Sequence, residues 1–484
     1  MEFYNWRETL AELDREVRDE NKSLKNRLMS IVYDNEFINY GIIPRFPLPL
    51  IPNERCGVWY CDPDTYKQTC YFKSTDGHTD QWDFSTKRLN FHLLNTIAEY
   101  EGVTIIDSTR RGKKIPDALS KTIPIWAAVL NYIMLEKIGK SFEVEDVLFV
   151  PPGTVSKNEY NSICKKLPSL VDKLKALDVF DAEKWHKMVN GRILRPMWVC
   201  PPSFILEENI ETNIEDPNEH KNKLLEEGFE PLLLCLVTVS GQAQDGTQKM
   251  DGFTYVQGAA DDHELWSDGL TAEMFWRRFE FFSDIRNSDK ALHTAVENMV
   301  MMEKMKHSEP DNMDEVFLHR HQMTEALTLG LAMGGSRIGN KIYEQLKENY
   351  DQVILFCNDI TLKLSDELIA DGIIEIRNMP SLSKTSSRNL RKKLPELYES
   401  VHSTIANSGK TLLACNLGGD ISAAVLLAVL VKDYSVDWEF EPEVEHPANK
   451  IIIKKHLAKM ASKMNGRNPN VNRTTLNSVN DFLM

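Results

Sequence analysis

Two stretches of the chain concentrate the residue types that act on phosphates and protons. The first, Asp107-Ser108-Thr109-Arg110-Arg111-Gly112-Lys113-Lys114, follows the β-branched run Val103 to Ile106 and precedes an apolar segment with Pro124 in its expected first helical turn. A strand–loop–helix turn presents backbone N–H groups and helix-end charge to an anion. Arg110 and Arg111 add forks that fit phosphate oxygens, and Lys113 and Lys114 add compact charge. Asp107, held ionised by these cations, suits either a magnesium ligand or an acceptor for a hydroxyl proton. The same residues also describe a basic surface loop capped by Asp107, and no Walker pattern separates the two readings.

The second stretch runs from Tyr255-Val256-Gln257-Gly258 through Asp261, Asp262, His263 and Glu264 to Phe275 and Trp276. Four consecutive ionisable residues cannot all face one way, so a subset converges on any site. Asp261 and Asp262 suit magnesium with substrate phosphates, and His263 suits acid or base work near neutral pH. The plainer reading is an acidic helix N-terminus complementing the dipole.

Two further motifs carry weaker signals. Asp76-Gly77 marks a tight turn that would hold Lys73 and His78 at its rim, between short strands expected over Cys56 to Leu94, with a helix starting near Phe84. Ala414-Cys415-Asn416-Leu417-Gly418-Gly419-Asp420-Ile421-Ser422 lies between an expected strand, Thr411 to Cys415, and an expected helix, Ile421 to Val431. It has the layout of a dual-specificity phosphatase loop, but Ile421 stands where that loop has its Arg and Ala414 where it has its His. Without the guanidinium clamp and the thiolate activator a Cys415 nucleophile is not expected. The glycines, with Asn416, Gly418, Gly419, Asp420 and Ser422, still suit a cradle for phosphate or a structural platform.

The bulk of the chain constrains what these motifs can serve. Its 484 residues suggest two or three domains, and 42% hydrophobic with 27% charged residues is globular. A formal charge of −15 argues against general attraction to polyphosphates and against DNA, so RNA would need a local basic patch. Candidates are Arg110 to Lys121, then Lys384, Arg388, Arg391, Lys392 and Lys393, then Lys450 to Arg467; each also reads as a solvated face. The opening residues lack a secretory pattern, and the apolar runs Ile123 to Ile138 and Ile421 to Val431 are short for a bilayer, so a cytoplasmic protein without a membrane partner is expected. Eight spread cysteines are expected to be reduced thiols, and Cys56, Cys61, Cys70 and His78 lack the paired spacing of a zinc site.

Positioning elements follow from periodicity. Trp6 to Val32 reads as an amphipathic helix, followed by an extended stretch with Pro44, Pro47, Pro49 and Pro52. Leu232 to Val239 is a second strand. An α/β chain is expected, with an N-terminal domain over 1–285, a helical linker over 286–327 and a C-terminal α/β domain over 328–484. The apolar ending Phe482-Leu483-Met484 suits docking.

Long runs, Asn53 to Gly57, Phe72 to Asn90, Asp107 to Trp126, Tyr255 to Trp276, Cys415 to Ser422 and Asn480 to Met484, resemble the fungal and plant initiator tRNA phosphoribosyl-transferases. The resemblance implies a family-specific N-terminal α/β domain and a dual-specificity-phosphatase-like C-terminal α/β domain with a central sheet flanked by helices. It implies transfer of 5-phosphoribose from phosphoribosyl pyrophosphate (PRPP) to the 2′-OH of adenosine 64 in initiator methionine tRNA. On that basis Ser108, Thr109, Arg110, Arg111, Gly112, Lys113 and Lys114, with Lys73 and His78, would hold the PRPP phosphates. Asp107 or Asp262 would take the proton or bind magnesium, His263 being the alternative base, and Asp261 with Asp262 would hold the Mg2+. The basic run Lys384 to Lys393 would meet the tRNA. The rivals are a phosphatase-like enzyme and a non-enzymatic tRNA-binding protein.

Overall fold

A computed structural model describes residues 21–73, 81–151, 153–203, 224, 228–306, 319–332, 337–357, 360–363, 372–381, 383–416, 418–464 and 471–484. His78, the Asp-Gly turn and most of the expected N-terminal helix lie outside these residues. Two compact units divide the chain, one reaching Met302 and the other built mainly from Glu303–Met484.

Among the described residues the first unit opens with α1 (Leu24–Glu36), whose Ser23 side chain accepts from the Asn26 N–H as a cap. Then come β1 (Leu50–Pro52), α2 (His92–Tyr100), β2 (Gly102–Asp107), α3 (Ile123–Lys137), α4 (Lys157–Lys175), α5 (Ala182–Met188), β3 (Ile193–Val199) and β4 (Pro231–Thr238). The four strands form one parallel sheet in the order β1-β2-β4-β3. Every residue of β2 is buried, as expected of a strand covered on both faces. Sequence patterning does not single out β3, because Pro196 interrupts it; its place at the sheet edge makes a missing N–H tolerable.

A short antiparallel pair, β5 (Thr247–Lys249) and β6 (Thr254–Val256), leads into the acidic stretch. The short helices α6 (Ala272–Arg277) and α7 (Phe279–Phe282) follow, then α8 (Asp289–Lys306). Leu292, Val296 and Met299 of α8 join the core that contains Leu28, Ile31, Trp59 and Phe275. The segment 286–327, expected as a helical linker, thus holds a helix packed into the first unit, and a strand further on.

Two local expectations are corrected. Between Cys56 and Phe91 the described residues form 3-10 turns and coil rather than strands, with one bridge, Asn53 to Cys70, and the helix expected near Phe84 starts at His92. Burial of Trp59, Tyr60, Cys61 and Phe72 holds this coil, so its alternating aromatics mark packing rather than pleating. The apolar run before Ile138 is also longer than its composition suggests. A π-helical turn, Ala118–Thr122, extends α3 to 20 helical residues, whose most apolar 18-residue stretch is 89% buried, which makes it a core helix.

The second unit carries β7 (Arg320–Gln322), β8 (Leu327–Leu331), β9 (Arg337–Gly339), α9 (Asn340–Lys347), β10 (Gln352–Phe356), β11 (Thr361–Lys363) and β12 (Ile374–Arg377). After them come α10 (Lys384–Ala406), β13 (Thr411–Cys415), α11 (Ile421–Asp433), α12 (Lys450–Lys463) and α13 (Arg473–Leu483). Its central sheet runs β12-β10-β13-β8-β7, parallel except for β7. One face packs on α10, α11 and α12, the other on α9. The chain end docks as its apolar residues suggest. Phe482 lies 5.6 Å from the Tyr398 ring, and the Lys432 ammonium sits over both rings.

Candidate active site

In the parallel sheet of the first unit, the carboxyl ends of β1, β2 and β4 emerge side by side. Ligands of open α/β sheets bind at such ends. Beyond β1 come Asn53, Arg55 and Cys56; beyond β2, Ser108 to Arg111; beyond β4, Ser240 and Gln242.

Asp107, the last residue of β2, has no exposed area. Asn53 Nδ2 donates to its Oδ2 at 3.0 Å, and the Cys56 thiol and the Ser108 N–H donate to its Oδ1 at 2.9 Å each. The Arg55 guanidinium lies 3.3 Å away. Here the structure corrects the reading of Asp107 as base or magnesium ligand. A carboxylate enclosed by four donors holds the loop and is not open to a substrate. Thr109 is tied likewise, its N–H donating to Ser240 Oγ and its carbonyl accepting from that hydroxyl.

Arg55 reaches from this buried cluster to the acidic stretch. It donates to the Ser108 carbonyl and, through Nη1, to Asp261 Oδ1 at 2.6 Å. Arg110 Nε lies 3.4 Å from Asp261 Oδ2, and its Nη1 pairs with Asp262. Asp261 is buried, and burial raises its proton affinity; Arg55 and then Arg110 oppose that, while Asp107 and Asp262 add to it. Asp262 is half exposed.

Helix α1 holds the acidic stretch from the other side. Asn26 Oδ1 accepts from the Thr254 N–H, Ser30 Oγ from the Val256 N–H, and Asp34 Oδ1 from the Tyr255 hydroxyl. Arg27 Nη1 donates to the Ala259 carbonyl at 2.7 Å, and its guanidinium lies 5.2 Å from the Trp266 ring centre. Gln257 stitches the two motifs together. Its side chain accepts from the Gly112 N–H and donates to the Lys113 carbonyl. At Gly258, with φ +64°, a Cβ would come within 2.6 Å of the Thr109 carbonyl oxygen, so only glycine allows this approach.

Between the two motifs lies a cavity of about 160 Å³ lined by Lys22, Arg27, Arg110, Arg111, Asp261, Asp262 and Trp266, among others. Four cations and three carboxylates, Asp245 being the third, line this one hollow, which suits a polyanion with a group that gives up a proton. Of the residues singled out from sequence, Arg110, Arg111, Asp261 and Asp262 meet here. Ser108, Thr109 and Gly112 shape the loop. Lys113 instead pairs with Asp117, and Lys113, Lys114 and Lys73 do not line the cavity; Lys73 is exposed. His263 does not line it either, its ring lying 5.7 Å from that of Trp59. Arg55 escaped the motif reading because it is the one cation in the Asn53 to Gly57 run, and Arg27 because it read as part of the polar face of the amphipathic helix Trp6 to Val32.

Asp261 does not fit the expected metal role, since both its oxygens face guanidinium groups. Among the described residues no group of three or more His, Cys, Asp or Glu side chains is placed to hold a metal ion. Asp262, at the exposed rim, fits a metal that arrives with substrate phosphates.

In the second unit, Cys415 ends β13 with no exposure, and its sulfur accepts from the Ser422 hydroxyl at 3.0 Å. Asn416 accepts from the Ser381 N–H, Gly418 takes φ +64°, and Asp420 accepts from the main chain and side chain of Asn472, ahead of α13. Gly419 lies in the same bend, and Leu417 is outside the described residues. Arg388, Arg391 and Lys392 are exposed at helical spacing on α10; Arg391 pairs with Asp481 and Lys393 with Glu396. The Lys384 side chain is outside the described set.

Comparison with known proteins bears on both units. The family model described as Rit1 N-terminal domain matches residues 17–301, and that described as Rit1 DUSP-like domain matches 375–483. The tRNA A64-2′-O-ribosylphosphate transferase of Saccharomyces cerevisiae is 44% identical over 98% of this chain and 95% of its own. An uncharacterised protein of Schizosaccharomyces pombe is 43% identical over 53% of this chain and 52% of its own. A crystal structure of PTPMT1 aligns with 34% of this chain and 93% of its own, at 17% identity and a TM-score of 0.23.

Proposed function

The chain belongs to the Rit1 family of tRNA ribosylphosphate transferases, and from that premise we propose that the cationic cavity of its first unit binds PRPP and performs the transfer. The enzyme attaches a ribosyl phosphate to the 2′-oxygen of adenosine 64 of tRNA. The observation that supports this site is the meeting of Arg27, Arg110 and Arg111 with Asp261 and Asp262 at the carboxyl ends of the strands.

In the reaction the tRNA 2′-oxygen forms a bond to C1 of the donor ribose. The bond from C1 to the pyrophosphate oxygen breaks, and its electron pair leaves with pyrophosphate. Arg27, Arg110 and Arg111 stabilise the departing charge in a partly enclosed site, where fixed cations act most strongly. Arg110 is shared with Asp261 and Asp262. Donor phosphates that draw Arg110 away leave Asp261 Oδ2 to accept the 2′-hydroxyl proton. Asp262 would hold a magnesium ion arriving with the pyrophosphate, and that ion would supply further charge neutralisation.

The tRNA is the initiator methionine tRNA, and the added group favours its use in initiation over elongation, in the cytoplasm. Arg388, Arg391 and Lys392 on α10 offer the tRNA backbone a local basic face on an acidic protein. A phosphatase reading is not favoured, because Ile421 replaces the phosphate clamp and Cys415 is enclosed. Incubation of the purified chain with ribose-labelled PRPP, magnesium and either initiator or elongator methionine tRNA tests the reading. Label is expected in the initiator alone; equal labelling of both would remove the specificity, and none in either would remove the donor.

A further inference from the structure

Among the described residues, Arg55 is the side chain that touches both the sealed cluster under β2 and the carboxylate in the cavity. Its guanidinium lies 3.3 Å from Asp107 Oδ1 and 2.6 Å from Asp261 Oδ1, and it also donates to the Ser108 carbonyl. The Asp107 side chain is fully enclosed and the Asp261 side chain is 8% exposed, whereas Arg55 keeps 19%. Asp107 cannot move without breaking its bonds to Asn53, Cys56 and Ser108. A planar guanidinium anchored on it therefore has a fixed heading, and its other arm fixes the carboxylate it meets.

Resting on the assignment of Asp261 as the proton acceptor, we propose that Arg55 is the positioning residue that holds this carboxylate in place at the cavity. Arg110 is less suited to that task. It is 43% exposed and divided between two carboxylates, and its proposed partner during turnover is the donor's phosphate. If Arg110 turns to the phosphate, Arg55 is left as the closest cation against Asp261 Oδ1, the oxygen opposite the one that takes the proton. A fork spanning two carboxylates thus separates the duties of the two arginines, one binding substrate and the other setting the acceptor.

The test is the single-turnover transfer rate at saturating PRPP and tRNA, together with the donor KM, for full-length Arg55→Gln and Arg55→Lys proteins of verified fold. In Arg55→Gln the saturated rate is expected to fall by about 10²-fold or more, with a donor KM within threefold of wild type. Arg55→Lys restores the charge without the fork, so its rate is expected between those of Arg55→Gln and wild type. If Arg55→Gln does not fold, the Lys variant decides: a wild-type rate would overturn the proposal. A wild-type rate in a folded Arg55→Gln protein would overturn it too, as would losses confined to donor KM. Asp261→Asn keeps the outcomes apart, because wild-type transfer by that variant would remove the acceptor assignment itself, whatever Arg55 does.

Discussion

At Asp107 and Asp261 two carboxylates share one guanidinium yet do different work. Asp107 has all its acceptor capacity filled by Asn53, Arg55, Cys56 and Ser108. Its removal leaves Arg55 and several donors without a partner in a sealed place. Asp107→Asn is expected to destabilise the first unit by roughly 3 kcal/mol, the cost of breaking a buried pair from one side. Asp261→Asn is expected to cost less than about half of that while lowering the transfer rate by about 10²-fold or more, within the range for a general base. Urea unfolding beside single-turnover rates checks both; equal stability loss in the two variants would contradict the division of roles. The sequence made Asp107 stand out as a carboxylate among cations, which is true of its neighbours in the chain. It could not show that Arg110 and Arg111 point into the cavity while Asp107 points into the core.

The elements explain which parts of the site were legible. Strands β2, β4 and β13 were readable because strands covered on both faces are continuous apolar runs. The loops after β2 and before α6 were readable as charge clusters. Helix α1 was readable as amphipathic, but not as the clamp on the acidic stretch, since Asn26, Arg27, Ser30 and Asp34 look like an ordinary polar face until the residues they meet, more than 200 positions away, are known.

In the second unit α12 carries a pH-sensitive contact. The Trp438 indole N–H donates to His456 Nδ1 at 3.0 Å, which requires that nitrogen unprotonated. Burial, with Lys459 and His446 adding to it, pushes the His456 pKa down to about 4. Its unfolded value is about 6.5, so the unfolded state takes up the proton first as pH falls. This histidine's contribution is fully present above about pH 6.5 and is lost as pH falls toward 4, roughly 3 kcal/mol across that window. Unfolding midpoints followed by tryptophan fluorescence from pH 7 to 4.5 are expected to fall less steeply in His456→Gln than in wild type; parallel curves would contradict this.

Over the whole molecule, a net charge of −15 and a polyanionic substrate are compatible only if cations are gathered in place. In the proposed function the cavity of the first unit serves a small phosphate ligand and the exposed face of α10 a longer one. Charge reversal by Arg388→Glu with Lys392→Glu is expected to weaken tRNA binding and lower its salt slope by about two, while PRPP binding stays unchanged. An unaltered slope would remove α10 from the tRNA interface. The family's long runs made the reaction legible from sequence, whereas the roles of single residues required the sheet, which brings segments from positions 27, 55, 110 and 261 to one hollow.

The central claim is that this hollow is the donor site. Its most direct test measures PRPP affinity and label transfer to initiator tRNA for wild type and for Arg110→Ala, with tRNA affinity as the control. Weakened PRPP binding and a transfer rate lower by about 10²-fold or more are expected, as for loss of a group that stabilises developing charge, with tRNA affinity unchanged. Wild-type PRPP binding and transfer in a folded Arg110→Ala protein would contradict it.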